Sequence, residues 1–108
     1  MGAGPAGSAA AILLLANGIA PIVYERQATP GDALCGGFLS WRTLERLQAL
    51  GLAPGEAGGH RVGRPRITAG TQEWSGSLPA AAMGLSRRRL DSLLLDRARA
   101  LGAEIRHA

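Results

Sequence analysis

The sequence has no lysine; all twelve of its basic side chains are arginine. They run from Arg26 to Arg106 with one short cluster, Arg87 to Arg89. A nucleic-acid surface would gather them on one face or interleave them with aromatics, so no nucleic-acid partner is expected. The net charge of +4 therefore says little about partners. Aromatic residues make up only 4% of the chain. A core has to come from Leu, Ile, Val and Ala, and it is thinner per residue than one containing Phe or Trp. The single cysteine, Cys35, excludes an internal disulfide and a multi-thiolate zinc site. No apolar run is long enough to span a bilayer: Ala9 to Ala16 is too short, and no positive segment precedes it as in a secretory signal. The expectation is a cytoplasmic chain with no metal site.

What is present is globular in balance, with 46% hydrophobic and 19% charged residues in 108 positions. That length suits one folding unit, 1–108, without an internal linker. Gly2 to Gly7 form a glycine-rich turn. Residues from about Ala6 to Asn17 are strong helix formers, apolar on nearly every side, so burial of most of that helix is expected. Asn17-Gly18 supplies its stop. Ile19 to Glu25 reads as a short strand, apolar without alternation, as if covered on both faces.

Ala28 to Gly37 reads as a loop. Ser40 is a cap for a helix over Trp41 to Leu50, with Leu44, Leu47 and Leu50 on one face and Gly51 closing it. Ala53 to Gly63 is predicted to be a long connection, and Arg64 to Leu78 a two-stranded excursion around Gly70-Thr71. Ser86 caps a last helix, Arg87 to Leu101, where Leu90, Leu93, Leu94 and Ala98 recur at helical spacing before Gly102. Ala103 to His107 reads as a strand. Trp41 and Trp74 are expected to be packing residues, and His60 and His107 have no partner pattern.

The chemistry sits at the start. Gly2-Ala3-Gly4-Pro5-Ala6-Gly7 satisfies G-x-G-x-x-G and runs straight into a helix. Gly2 permits a tight turn, Gly4 lets the backbone approach a pyrophosphate, and Gly7 allows close helix–sheet packing. The helix mouth adds unpaired N–H groups and partial positive charge, which hold a phosphate. Alone the motif is weak. Glu25, however, lies 23 positions after Gly2 at the end of the next strand, close to the ~20-residue spacing at which an acid accepts hydrogen bonds from a ribose. Without the glycines Glu25 would read as a solvated strand-end charge; with them it reads as a ribose acceptor.

These residues resemble a known group. Gly2 to Ala11 together with Tyr24-Glu25-Arg26 looks like the FAD-binding segment of the flavoprotein monooxygenase and geranylgeranyl reductase-like superfamily. Cys35-Gly36-Gly37-Phe38-Leu39-Ser40, followed by a helix ending Ala49-Leu50-Gly51-Leu52, is similar to the geranylgeranyl reductase branch. Arg87-Arg88-Arg89-Leu90-Asp91 with Leu94 resembles that superfamily's R-x-x-L-D helix. The resemblance implies an α/β, Rossmann-like FAD-binding domain with a small β excursion. It implies FAD as cofactor, with Gly2, Ala3, Gly4, Pro5, Ala6 and Gly7 as the phosphate turn and Glu25 on the adenosine ribose. It further implies that Arg87 and Arg26 approach the FAD phosphates or adenosine, and that the loop containing Cys35 and Gly36 lies along the cofactor. From the residues alone, Arg87 stays open between simple solvation and an anionic partner, since cations in a first helical turn oppose the dipole. Cys35 reads as a small apolar filler rather than a reactive thiol.

In that superfamily a buried parallel strand precedes the glycine turn, whereas here only Met1 precedes Gly2, and the chain stops in a strand at Ala108. The implied reading is an N-terminal fragment with its first strand missing, inactive and weak in FAD binding by itself. The complete protein would be a flavin-dependent oxidoreductase on an organic, hydrophobic substrate, with NAD(P)H a candidate electron donor. No catalytic side chain stands out. Two other readings remain: an NAD(P)-binding dehydrogenase domain, and a non-catalytic remnant or interaction protein.

Overall fold

A computed structural model describes residues 2–107. Helix α1, Pro5–Ala16, begins behind Gly4, whose extended backbone (φ −68°, ψ −179°) serves as its N-cap. Pro5 occupies the first turn, where a missing N–H leaves no helical bond unmade. Helix α2, Trp41–Ala49, starts where Ser40 Oγ accepts the Thr43 N–H at 3.3 Å. Helix α3, Arg87–Ala100, starts in the same way, with Ser86 Oγ accepting from the Arg89 N–H at 3.4 Å. Gly102 then turns the chain in the left-handed region (φ +107°), which favours glycine, and leads into the last strand.

Among the described residues the strands fall into three small sheets. Strand β1, Ile22–Glu25, pairs in parallel with β7, Glu104–His107, from Ile22 opposite Glu104 to Glu25 opposite His107. Strands β2 (Phe38–Leu39), β6 (Ala82–Gly84) and β3 (His60–Val62) form an antiparallel sheet in the order β2-β6-β3. Strands β4 (Arg66–Ala69) and β5 (Gln72–Ser75) form a hairpin with Ile67 opposite Trp74. The architecture is mixed α/β, as expected, but richer in antiparallel structure than one excursion. The stretch expected as a plain connection contains a 3-10 turn, Pro54–Ala57, and β3.

The core is aliphatic. Ala11 and Ile12 of α1, Val23 of β1, and Leu90, Leu94, Leu95 and Ala98 of α3 are all buried, joined by Leu47 and Leu52 from around α2. Arg97 of α3 donates from Nε to the Leu50 carbonyl at 3.2 Å, which ties α3 to the end of α2. At the other end of α3 the carboxyl end of β1 comes to the mouth of α1, the place where open parallel sheets bind ligands.

Several expectations need correction. Strand β1 is shorter than Ile19 to Glu25; Pro21 has no N–H for a ladder bond, and only its carbonyl pairs, accepting from Glu104 at 3.3 Å. Nor is β1 covered on both faces: Val23 is 0% exposed while Ile22 is 41% and Tyr24 53% exposed. The helices cover one face, and among the described residues nothing covers the other. For the same reason α1 buries only Ser8, Ala11 and Ile12, and Leu13 is exposed. Trp74 is also exposed, on the hairpin and away from the core. Cys35 is an exposed free thiol rather than an apolar filler.

Candidate functional site

The glycine turn is fastened on two sides at Ala3. Its N–H donates to Glu25 Oε2 at 2.7 Å, and its carbonyl accepts from Ser8 Oγ at 3.0 Å. Ser8 is 1% exposed, one turn into α1, so the hydroxyl is a built support for the turn. The Gln27 N–H donates to the other Glu25 oxygen, Oε1, at 3.0 Å. These bonds, first from Gln27 and then from Ala3, hold the Glu25 carboxyl below its ordinary value of 4.5. Glu25 is therefore an anion at neutral pH. Each of its oxygens accepts one of these bonds and keeps capacity for a hydroxyl donor.

Gly4 closes the turn against the helix mouth. No protein atom lies within 4 Å of where a Cβ on Gly4 would sit. The space in front of this backbone is open, so the fold itself leaves room for a side chain there. The Ser8 N–H is bonded to the Gly4 carbonyl at 2.9 Å. Pro5 has no N–H, so the Ala6 and Gly7 N–H groups are left at the mouth without intrahelical acceptors. They and the helix dipole favour an anion.

A cavity of about 240 Å³ opens at this point. Its walls come from three places: Ala3 and Gly4 of the turn; residues 25–27 and 30–33 following β1; and Arg87, Asp91 and Leu95 of α3. Arg87 grips Asp91 with two parallel bonds, Nε to Oδ1 at 2.9 Å and Nη2 to Oδ2 at 3.1 Å. This pair holds the guanidinium above its already high ordinary value, with the Asp91 hydrogen bond the largest cause. Its neighbours in the basic run are also engaged: Arg88 pairs with Asp32 at 3.1 Å, and Arg89 Nη1 donates to the Ala57 carbonyl at 3.1 Å. The unfavourable cluster at the start of α3 is thus met by protein acceptors. Arg88 fastens the loop after β1 to α3, though both partners are exposed and such a pair contributes little stability.

Of the residues singled out from the sequence, Ala3, Gly4, Glu25, Arg26 and Arg87 line this cavity. Gly2 lies beside Glu25, where an added Cβ would stand 3.5 Å from Oε2. Pro5, Ala6 and Gly7 form the first turn of α1 behind the wall. Cys35 and Gly36 lie outside the walls; the Gly37 N–H donates to Cys35 Sγ at 3.4 Å. Gln27, residues 30–33 and Leu95 escaped the sequence reading, and Ser8 and Asp91 entered it only as members of motifs, without a role at the site. The Arg87–Asp91 pair carried a signal, the four-residue spacing of opposite charges on one helix. The loop residues carried none, because their placement depends on how the chain folds back.

No His or Cys lines the cavity, so it offers fixed donors and acceptors rather than a nucleophile with a base. Among the described residues no cluster of His, Cys, Asp and Glu could hold a metal ion, and no helix is long and apolar enough to cross a membrane.

A family model described as "FAD binding domain" matches residues 1–108. No curated protein matches the sequence. Among solved structures, the chain is similar to a flavoprotein/dehydrogenase from Cytophaga hutchinsonii, with TM-score 0.82 and 24% identity over 98% of this chain and 28% of that one. It is similar to the flavin-dependent brominase Bmp2, with TM-score 0.82 and 23% identity over 97% of this chain and 27% of that one. It is also similar to QhpG, a peptidyl tryptophan dihydroxylase essential for tryptophylquinone cofactor biogenesis, with TM-score 0.66 and 27% identity over 98% of this chain and 23% of that one. The chain spans 28% or less of the length of these proteins.

Proposed function

The chain belongs to the FAD binding domain family, and on that premise we propose that the cavity at the mouth of α1 holds the adenosine diphosphate half of FAD. FAD is the family's cofactor. The observation that supports this placement most is the bond from Ala3 to Glu25, which puts the Glu25 carboxylate beside a helix mouth whose Gly4 faces open space. The residues present fit the group.

In this reading the Gly4 backbone and the Ala6 and Gly7 N–H groups take the diphosphate. Glu25 accepts the ribose hydroxyls. Arg87, and with it Arg26, meets a phosphate or the adenosine. Gly2, Ala3 and Pro5 shape the turn, and the Cys35-Gly36 loop runs along the cofactor outside the cavity. When bound, FAD supplies hydride and electron transfer through its ring system; the chain's own part is to bind and orient it. Residues 1–108 are the N-terminal fragment of the FAD-binding domain.

For the protein's activity we propose a flavin-dependent oxidation or reduction of an organic, hydrophobic substrate, monooxygenase-like or geranylgeranyl reductase-like, with NAD(P)H reducing the flavin. The likeness at Cys35-Gly36-Gly37 and along α2 supports the second form. Two of the similar solved structures are described as a flavoprotein/dehydrogenase and a flavin-dependent brominase, and the third as a peptidyl tryptophan dihydroxylase.

The test is a titration of the full-length protein with FAD, FMN and NAD, followed by flavin fluorescence and calorimetry. FMN lacks the adenosine half. The expected result is FAD binding at least about tenfold tighter than FMN, with ADP competing. Equal affinity for FAD and FMN, or preference for NAD, would contradict the proposal.

A further inference from the structure

We propose that Asp91 is a positioning residue for FAD, clamping Arg87 so that the free edge of its guanidinium faces the diphosphate site. This rests on the FAD reading above.

Asp91 is 8% exposed, on the side of α3 that carries the buried Leu90, Leu94 and Leu95. Its two oxygens take Nε and Nη2 of Arg87, and the Cys35 sulfur also lies beside the guanidinium, so part of the Nη1 and Nη2 donor edge remains for an anion. Both residues line the cavity together with Ala3, Gly4 and Glu25. A planar guanidinium held at two points keeps one orientation, where a free arginine would sample many.

Helix stability does not account for the pair. Arg87 sits in the first turn of α3, where a cation opposes the dipole. An arginine four residues before its acid is also the less favourable order for a helical ion pair. Burying the pair adds desolvation, and replacing such a pair by apolar residues is commonly neutral or stabilising. What the pair does achieve is a fixed donor edge at the wall of an anion site.

Electrostatics alone and positioning predict opposite signs. Asp91 puts a negative charge near a site for an anion, so by Coulomb's law its removal would tighten FAD. If Asp91 acts by orienting Arg87, its removal loosens FAD.

The test compares Asp91→Asn, Arg87→Lys, Arg87→Leu and the double variant Arg87→Leu/Asp91→Leu in the full-length protein. Two quantities are read: FAD affinity, and the urea midpoint without FAD. The expected result is about tenfold weaker FAD binding for Asp91→Asn and for Arg87→Lys, which keeps the charge but not the fork. The double variant is expected to bind no more weakly than Arg87→Leu alone and to unfold at or above the wild-type midpoint. Tighter or unchanged FAD binding in Asp91→Asn overturns the inference. So does wild-type affinity in Arg87→Lys, or a separate loss from Asp91→Leu on the Arg87→Leu background. Should Asp91→Asn fail to fold, Arg87→Lys and the double variant still decide. A wild-type chain without preference for FAD over FMN would sink the FAD reading itself; a wild-type preference that the Asp91 and Arg87 variants retain would sink only this inference.

Discussion

The Ala3 N–H donates to Glu25 Oε2 at 2.7 Å, so the glycine turn and the end of β1 form one hydrogen-bonded unit. A residue before the first helix and the last residue of the next strand are brought together by the fold. The carboxylate that is proposed to hold a ribose also sets where the phosphate turn sits.

Glu25→Gln tests that double role. The amide keeps the shape but loses the charge that strengthens bonds from Ala3 and Gln27. Because Glu25 is largely solvated, the expected loss of stability is below about 1 kcal/mol. FAD affinity is expected to fall at least about tenfold, read by fluorescence titration beside a urea melt. A stability loss without an affinity loss would make Glu25 a purely structural clamp.

The same residue gives a pH dependence. Its folded pKa lies below the ordinary value of 4.5. Its contribution to stability is therefore present above about 4.5 and is lost as pH falls through the lower folded value. The wild-type chain is expected to lose more stability than Glu25→Gln on acidification from about pH 5 to pH 3. Parallel curves for the two proteins would refute the assignment.

Gly4→Ala separates ligand from fold. A Cβ there meets no protein atom within 4 Å, so the unliganded chain is expected to stay within about 1 kcal/mol of wild type, the scale of an N-cap change. FAD affinity is expected to drop about tenfold or more, since the methyl group intrudes where a phosphate approaches the backbone. Unchanged affinity would place the diphosphate elsewhere.

Leu94→Ala tests the core. Leu94 is 2% exposed and central to α3, and the truncation is expected to cost about 2–5 kcal/mol in chemical denaturation. Ile67→Ala on the hairpin, where Ile67 is 61% exposed, is expected to stay within about 0.5 kcal/mol. Similar losses at both positions would mean that the hairpin packs in solution.

Much of the fold could be read from local chemistry. Ser40 and Ser86 cap the helices as their side chains dictate, and Gly102 takes the left-handed turn that stops α3. Gly70 turns the hairpin between Ala69 and Gln72. The sheet β2-β6-β3 was hidden because strands of two or three residues, such as Phe38–Leu39, are too short to display a period. Exposure of Ile22 and Tyr24 was hidden because an apolar strand reads the same whether or not a second layer covers it. In the site, the turn and Glu25 were legible as a spaced motif. Asp91 was visible only as a motif letter four residues after Arg87; that it is buried and grips the guanidinium at two points is seen only in space.

A crystal structure of the protein with FAD bound tests the placement most directly. The expected result is the diphosphate within hydrogen-bond reach of the Ala6 and Gly7 N–H groups, with a ribose hydroxyl on Glu25. A nucleotide bound away from Gly4 and Glu25 would contradict it.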